Sequence, residues 1–182
     1  MNGRRIVLAV TGGIAAYKAA DLASRLVRAG AEVRVAMTGA AQRFVTPLTF
    51  RTLTGRAVVT NLWTDADPPG VVHVALADFA EVLVIAPATA NVIGKMAHGI
   101  ADEIVSTLAL SVDVPIVVAP AMNTRMWQNA AVQANVAVLR DRGVALVDPG
   151  TGRLACGATG PGRLADTDDI LAAIRAALGA AE

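Results

Sequence analysis

Residues 6–10 (IVLAV) form an apolar, β-branched run that stops at Thr11, Gly12 and Gly13 and passes directly into a helical pattern over residues 14–29. Leu22, Leu26 and Val27 fall on one face of that helix, while Lys18, Arg25 and Arg28 are available to the other. Gly30 stands where a helix C-terminus takes a left-handed residue, and residues 32–37 (EVRVAM) read as a second strand. Strand, helix and strand within about 35 residues make a βαβ unit. Few folds accommodate such a unit other than a parallel sheet covered by helices.

The rest of the chain continues this alternation. A short helix is expected over residues 47–53, a proline-broken loop over 65–70, and a third strand over 81–86. Helices follow over 91–98 and 102–111, a strand over 114–119, a helix over 130–142 and a final strand over 144–147. Residues 150–163 read as a loop carrying five glycines, and a helix over 167–178 closes the pattern. No internal repeat or domain linker interrupts it. The expected fold is α/β: a doubly wound, mainly parallel sheet flanked by helices, in one domain of 182 residues.

Bulk properties narrow the function classes. The chain is 54% hydrophobic with only three phenylalanines, two tryptophans and one tyrosine, so Ala, Val, Leu and Ile must build most of the core. Excess apolar surface of this kind favours self-association. A net charge of +1 offers nucleic acid no general attraction. No apolar stretch is long enough to span a bilayer, the N-terminus lacks a signal-peptide layout, and one cysteine cannot form an internal disulfide. A cytoplasmic location is the expectation.

Three strand ends carry the residues suited to ligand chemistry. In an open α/β sheet, ligands bind outside the carboxyl ends of the strands. After the first strand, Gly12 and Gly13 open a helix whose free N–H groups and positive end suit a phosphate. The third glycine of the dinucleotide fingerprint and the Lys-Ser or Lys-Thr pair of a Walker loop are both missing, so a mononucleotide or flavin phosphate fits better than NAD or ATP. After the third strand, residues 88–91 (ATAN) leave room for a ring system, with Thr89 and Asn91 able to bond a heterocycle's edge or to cap a helix. After residues 114–119 comes PAMNTRMW (residues 120–127), in which Asn123 is ringed by two methionines and a tryptophan. These serve either as core filler or as the wall of a site for a flat, partly apolar ligand with one charged group.

His73 lies among valines and is either a satisfied core histidine or a catalyst. Cys156 sits in a glycine-rich loop, a poor place for core packing and a suitable one for a reactive thiol. No His/Cys/Asp cluster has metal-ligand spacing, so no metal is expected.

Together TGGIAAYK (residues 11–18), His73, PAMNTRMW and the run ACGATGPGR (residues 155–163) resemble the homo-oligomeric flavin-containing cysteine decarboxylases, over nearly the whole chain from about Arg5 to the last helix. The resemblance implies a Rossmann-like, flavodoxin-like subunit assembling as a trimer, or as trimers of higher order such as a dodecamer, with FMN near the subunit interface. It implies that Gly13, Ile14 and Ala15 meet the phosphate end of FMN, with Thr38, Phe44, Thr89, Ala90, Asn91 and Ala121 also lining the cofactor. By the same resemblance His73 is the active-site histidine, Asn123 holds the substrate carboxylate, Met126 lines the pocket, and Cys156 belongs to a loop covering the substrate. The implied reaction converts 4′-phospho-N-pantothenoylcysteine to 4′-phosphopantetheine in coenzyme A biosynthesis, through thioaldehyde and enethiol intermediates, with Cys156 supplying a proton in the final reduction. Cys156 separates this branch from peptidyl-cysteine decarboxylases, which stop at the enethiol. A non-catalytic flavoprotein regulatory subunit is a third alternative, disfavoured by the joint presence of His73, Asn123 and Cys156. Many bacterial relatives of this kind continue into a phosphopantothenoylcysteine synthetase, so the chain is expected to be either a stand-alone decarboxylase domain or the N-terminal part of a bifunctional protein.

Overall fold

In the computed structural model, which describes residues 1–63, 70–153, 157 and 159–179, six parallel strands form one sheet in the order β3-β2-β1-β4-β5-β6. The strands are β1 (Arg5–Val10), β2 (Glu32–Met37), β3 (Val58–Val59), β4 (Val82–Ala88), β5 (Ile116–Pro120) and β6 (Ala145–Leu146). This is the Rossmann strand order, and without the two-residue β3 at its edge it reduces to the flavodoxin-like order. β1 pairs with β2 on one side, Ile6 opposite Val33, and with β4 on the other, Ile6 opposite Val82.

Alternation along β1 explains why both faces must be covered. Ile6, Leu8 and Val10 point into one core, where α1 (Ala16–Arg28), α2 (Pro47–Thr54) and α8 (Thr167–Ala177) contribute Leu22, Leu26, Phe50, Ile170 and Ile174. Val7 and Ala9 point into the other, with α3 (Val72–Phe79), α4 (Ala90–His98), α5 (Ile104–Ser111) and α7 (Ala130–Asp141). All of β4 is buried, as a central parallel strand requires. Small side chains allow the close packing, since Ala9, Ala16, Ala23, Ala36 and Ala86 are fully inaccessible.

Most expected elements form within a residue or two of their predicted bounds, and the exceptions are informative. The segment holding His73 folds as α3, which its run of β-branched residues conceals. A minimal edge strand, β3, precedes it, so the strand over residues 82–88 is the fourth in chain order and not the third. A single turn, α6 (Thr124–Trp127), follows β5. The largest correction concerns residues 150–163. They contain an antiparallel pair, β7 (Gly150–Arg153) and β8 (Thr159–Arg163), so β6 is not the last strand. Glycine-rich sequence argues against strands, but here the glycines permit close contact with the segment after β5. The expected loop over 65–70 falls largely outside the described residues. Among the described residues no helix is long and apolar enough to cross a membrane, and no His/Cys/Asp/Glu group has the arrangement of a metal site.

Candidate functional site

Winding of the chain reverses between β1 and β4, so the connections leaving these two strands diverge to opposite faces. At that point the carboxyl ends of β1, β4 and β5 open onto a cleft of about 670 Å³, the position where doubly wound sheets bind ligands.

The β1–α1 turn forms one wall. A Cβ at Gly12 would lie 2.3 Å from Ala40 Cβ, so only glycine allows this turn to pack against the segment after β2. At Gly13 a Cβ would meet nothing nearer than Thr89 Cγ2 at 3.9 Å, leaving the backbone open to the cleft. No side chain caps α1, so its leading N–H groups remain available to an anion. By contrast α4 is capped: Val92 N–H donates to Thr89 Oγ1 at 3.4 Å.

Thr11 ties the first two walls together. Fully buried, its hydroxyl donates to the Pro87 carbonyl at 2.6 Å and accepts from the Thr89 N–H at 3.0 Å. The Thr89 N–H is thereby satisfied within the protein.

Asn123 forms the third wall, just after β5. Its Oδ1 accepts the Met126 N–H at 2.9 Å and caps α6. With the oxygen engaged, the exposed Nδ2 group presents its donors outward. The β7–β8 pair closes this side. Met122 N–H donates to the Gly162 carbonyl at 2.9 Å. Gly162 adopts φ +128°, and a Cβ there would approach the Met122 carbonyl oxygen to 2.3 Å. At Gly160 a Cβ would reach 2.6 Å from Thr124 Oγ1.

The structure brings Gly13, Ile14, Ala15, Thr89, Ala90, Ala121, Asn123 and Met126 to one cleft. Thr38 is buried, its Oγ1 accepting the Ala41 N–H at 3.1 Å, and Phe44 is half-exposed at the end of the following turn; neither lines the cleft. Asn91 is exposed on the first turn of α4. His73 also lies off the cleft lining, on α3, and its buried Nδ1 has no hydrogen-bond partner among the described residues. Cys156 lies outside the described residues.

Four contributors escaped the reading of the sequence. Thr11 was hidden because a threonine at a strand end is unremarkable until its partners are known. Lys18, Arg153 and Arg163 also line the cleft. Their only sequence signal was position within the TGGIAAYK segment and either side of the cysteine loop.

A cleft whose charged lining residues are all basic, with an uncapped helix end, suits phosphate, and its glycine turn and small side chains leave room for a flat ring. The residues present therefore fit a flavin mononucleotide.

Comparison with known proteins agrees with this geometry. Residues 1–179 match the family described as Flavoprotein. The chain is 46% identical over 171 residues to the coenzyme A biosynthesis bifunctional protein CoaBC of Bacillus subtilis, covering 94% of this chain and 42% of that protein. It therefore spans about two-fifths of the length of this relative. It is also 46% identical over 170 residues to a probable phosphopantothenoylcysteine decarboxylase of Streptococcus mutans, covering 92% and 95% of the two chains. Among solved structures, a cysteine-to-serine mutant of PPC decarboxylase complexed with pantothenoylaminoethenethiol superposes with a TM-score of 0.86 at 32% identity, over 96% of this chain and 98% of that one. The FMN-dependent cysteine decarboxylase SpaF superposes at 0.79 with 36% identity, over 94% and 97%.

Proposed function

The chain belongs to the flavoprotein family, and from that premise we propose that it is an FMN-dependent carboxy-lyase converting 4′-phospho-N-pantothenoylcysteine to 4′-phosphopantetheine. The observation that carries this reading is the meeting, in one cleft, of the uncapped α1 N-terminus and the free amide donors of Asn123. One suits the cofactor phosphate and the other a substrate carboxylate. The similarity to relatives named for coenzyme A biosynthesis and for this decarboxylation supports the choice of substrate.

Loss of CO2 from a simple cysteine derivative would leave an unstabilised carbanion, and bound FMN would supply the two-electron acceptance that turns the thiol-bearing carbon into a thioaldehyde beside the carboxylate. The chain's residues do the rest. Gly13, Ile14 and Ala15 hold the phosphate end of FMN, Thr89, Ala90 and Ala121 line the remainder, and Thr38, Phe44 and Asn91, off the cleft lining of a single chain, complete the surround at the interface with a second copy. Asn123 donates to the carboxylate and orients the bond that breaks. Met126 excludes water from the same pocket. His73 takes and returns protons at the thiol-bearing end. After CO2 leaves as the enethiolate forms, Cys156 gives the proton needed as the enethiol takes back, as hydride, the two electrons that bound FMN would hold, and no net oxidation results.

His73 does not line its own subunit's cleft, so this reading needs a second copy to bring its His73 there. Trp63, 90% exposed, and Val71 and Val74 beside His73 supply apolar surface for such association. A trimer, or a dodecamer built from trimers, meets the need. The chain is a single decarboxylase domain working in the cytoplasm, either alone or joined to a phosphopantothenoylcysteine synthetase.

Anaerobic incubation of the FMN-loaded protein with 4′-phospho-N-pantothenoylcysteine, followed by mass, tests the reading. Release of CO2 with formation of 4′-phosphopantetheine is expected. No reaction, with FMN bound, would turn attention to a peptide ending in cysteine or to a regulatory role.

A further inference from the structure

The ladder between β1 and β4 stops short of the cleft. Its last pair sets Ala9 opposite Ile85, and β4 then carries Pro87, which has no N–H to donate. Pairing of β4 with β5 is irregular over the same stretch, between Ile85 and Ala88. The regular sheet thus ends just before the walls of the cleft, and other bonds must hold those walls together.

Two kinds of bond do so. Between the second and third walls, the Ala121 backbone N–H donates to the Ala88 carbonyl at 3.0 Å, a bond open to almost any residue in either place. Between the first and second walls, the bonds come from Thr11. Its backbone N–H reaches the Pro87 carbonyl at 3.3 Å. Its hydroxyl donates to that same carbonyl at 2.6 Å and accepts the Thr89 N–H at 3.0 Å. The two shorter bonds belong to the side chain, so they require a hydroxyl on Cβ at this position. Branching at Cβ restricts the Thr11 rotamer, and full burial keeps both bonds out of water.

This tie fixes a distance. Gly13 opens one wall and Thr89 begins the other, and a Cβ at Gly13 would stand 3.9 Å from Thr89 Cγ2, within van der Waals range. On the FMN reading, on which this inference rests, the first wall takes the phosphate end and the second the ring end of one cofactor of limited length. We propose that Thr11 is a positioning residue for the flavin. Its hydroxyl sets the span between the phosphate seat and the ring wall, and so the place of the ring relative to a substrate held at Asn123. Buried and off the cleft lining, Thr11 acts through Thr89 and not by contact.

The test uses the full FMN-loaded chain. Thr11→Val keeps the shape and loses the hydroxyl, Thr11→Ala loses the hydroxyl without the bulk, and Thr11→Ser keeps it. Ile174→Val trims the core from α8, off the cleft lining, and controls for lowered stability alone. Each protein is measured well below its own melting temperature. Thr11→Val and Thr11→Ala should keep the preference for FMN over riboflavin, because the phosphate seat is untouched. They should shift the visible circular dichroism and the reduction potential of the bound flavin. With 4′-phospho-N-pantothenoylcysteine, their kcat should fall about ten-fold or more while KM stays within about two-fold. Thr11→Ser should recover the unmodified values, and Ile174→Val should keep them. Unchanged dichroism, potential and kcat in the two hydroxyl-free variants overturn the inference and leave Thr11 a purely structural bond. So does the same flavin shift in Ile174→Val, which would trace it to lowered stability. Lost preference for FMN over riboflavin with an unchanged ring signal also overturns it, since the hydroxyl would then serve the phosphate seat. If the unmodified protein binds FMN but turns nothing over, the decarboxylase reading falls, and dichroism and potential still decide the role of Thr11. Failure of the unmodified protein to bind FMN overturns both.

Discussion

The Met126 backbone N–H donates to Asn123 Oδ1 at 2.9 Å, so one side chain both starts the α6 turn and turns its amide hydrogens towards the cleft. The helix cap and the proposed contact of Asn123 with a carboxylate thus use different atoms and can be separated.

Asn123→Asp keeps an oxygen for the cap but removes both donors and adds a negative charge where the proposed substrate carboxylate would sit. The expected outcome is a protein that folds and binds FMN normally, with kcat/KM lowered by at least about a hundred-fold. Flavin absorbance and steady-state turnover measure the two effects. Near-normal turnover would sink the carboxylate assignment.

Cys156→Ser should let decarboxylation proceed while stalling the reduction that follows, because a serine hydroxyl is a much weaker acid than a thiol. Mass analysis should find the enethiol accumulating. Full output of 4′-phosphopantetheine would remove the proton-donor role.

Thr11→Val removes a hydroxyl that serves the buried Pro87 carbonyl and Thr89 N–H. The Pro87 carbonyl keeps the Thr11 backbone N–H at 3.3 Å, but the Thr89 N–H loses its partner, which should cost about 1–3 kcal/mol, seen as a lower urea midpoint. Thr11→Ser, which restores the hydroxyl, should recover most of the loss; failure to recover would mean the methyl group, and not the bonds, carries the effect.

Gly162→Ala forces a Cβ to 2.3 Å from the Met122 carbonyl at a φ of +128°. Undocking of β7–β8 from the segment after β5 should follow, with stability lower by about 1–3 kcal/mol and turnover lower still. Thermal unfolding and activity together check this; an unchanged melt would show that the contact yields easily.

At the opposite edge of the sheet, the Arg5 backbone N–H donates to Glu81 Oε2 at 2.8 Å. That bond, helped by the Arg4 and Arg5 guanidiniums, holds the Glu81 carboxyl below its ordinary value of 4.5. A depressed folded pKa means that this stabilisation is complete above about pH 4.5 and is lost as pH falls through the lower folded value. Glu81→Gln should therefore be less stable than the unmodified chain near neutral pH, with the gap closing as the pH is taken well below 4.5. A gap of constant size in urea titrations at both pH values would rule out the linkage.

The sheet was legible because its physics is local. Continuous β-branched runs such as residues 6–10 and 82–85 are buried on both faces and carry no competing signal, and Gly30 ends α1 where the pattern predicts. The three strand ends that supply the glycine turn, the ATAN segment and Asn123 were readable for the same reason, since each directly follows such a run.

What remained hidden depends on contacts between distant segments. His73 sits on a helix that its β-branched neighbours disguise, and its position off the cleft follows only from how α3 packs. Residues 150–153 and 159–163 read as loop because glycine disfavours strands in isolation. Only their approach to Met122 and Thr124 explains why glycine is needed and a strand pair still forms. The sequence by itself therefore determined the layers, the parallel sheet and the edge at which ligands bind, because periodicity and burial act along the chain. The tertiary structure alone decided that Thr11 joins two walls and that Lys18 and Arg153 share one cleft, because hydrogen bonds and fields act through space between residues that the sequence keeps apart.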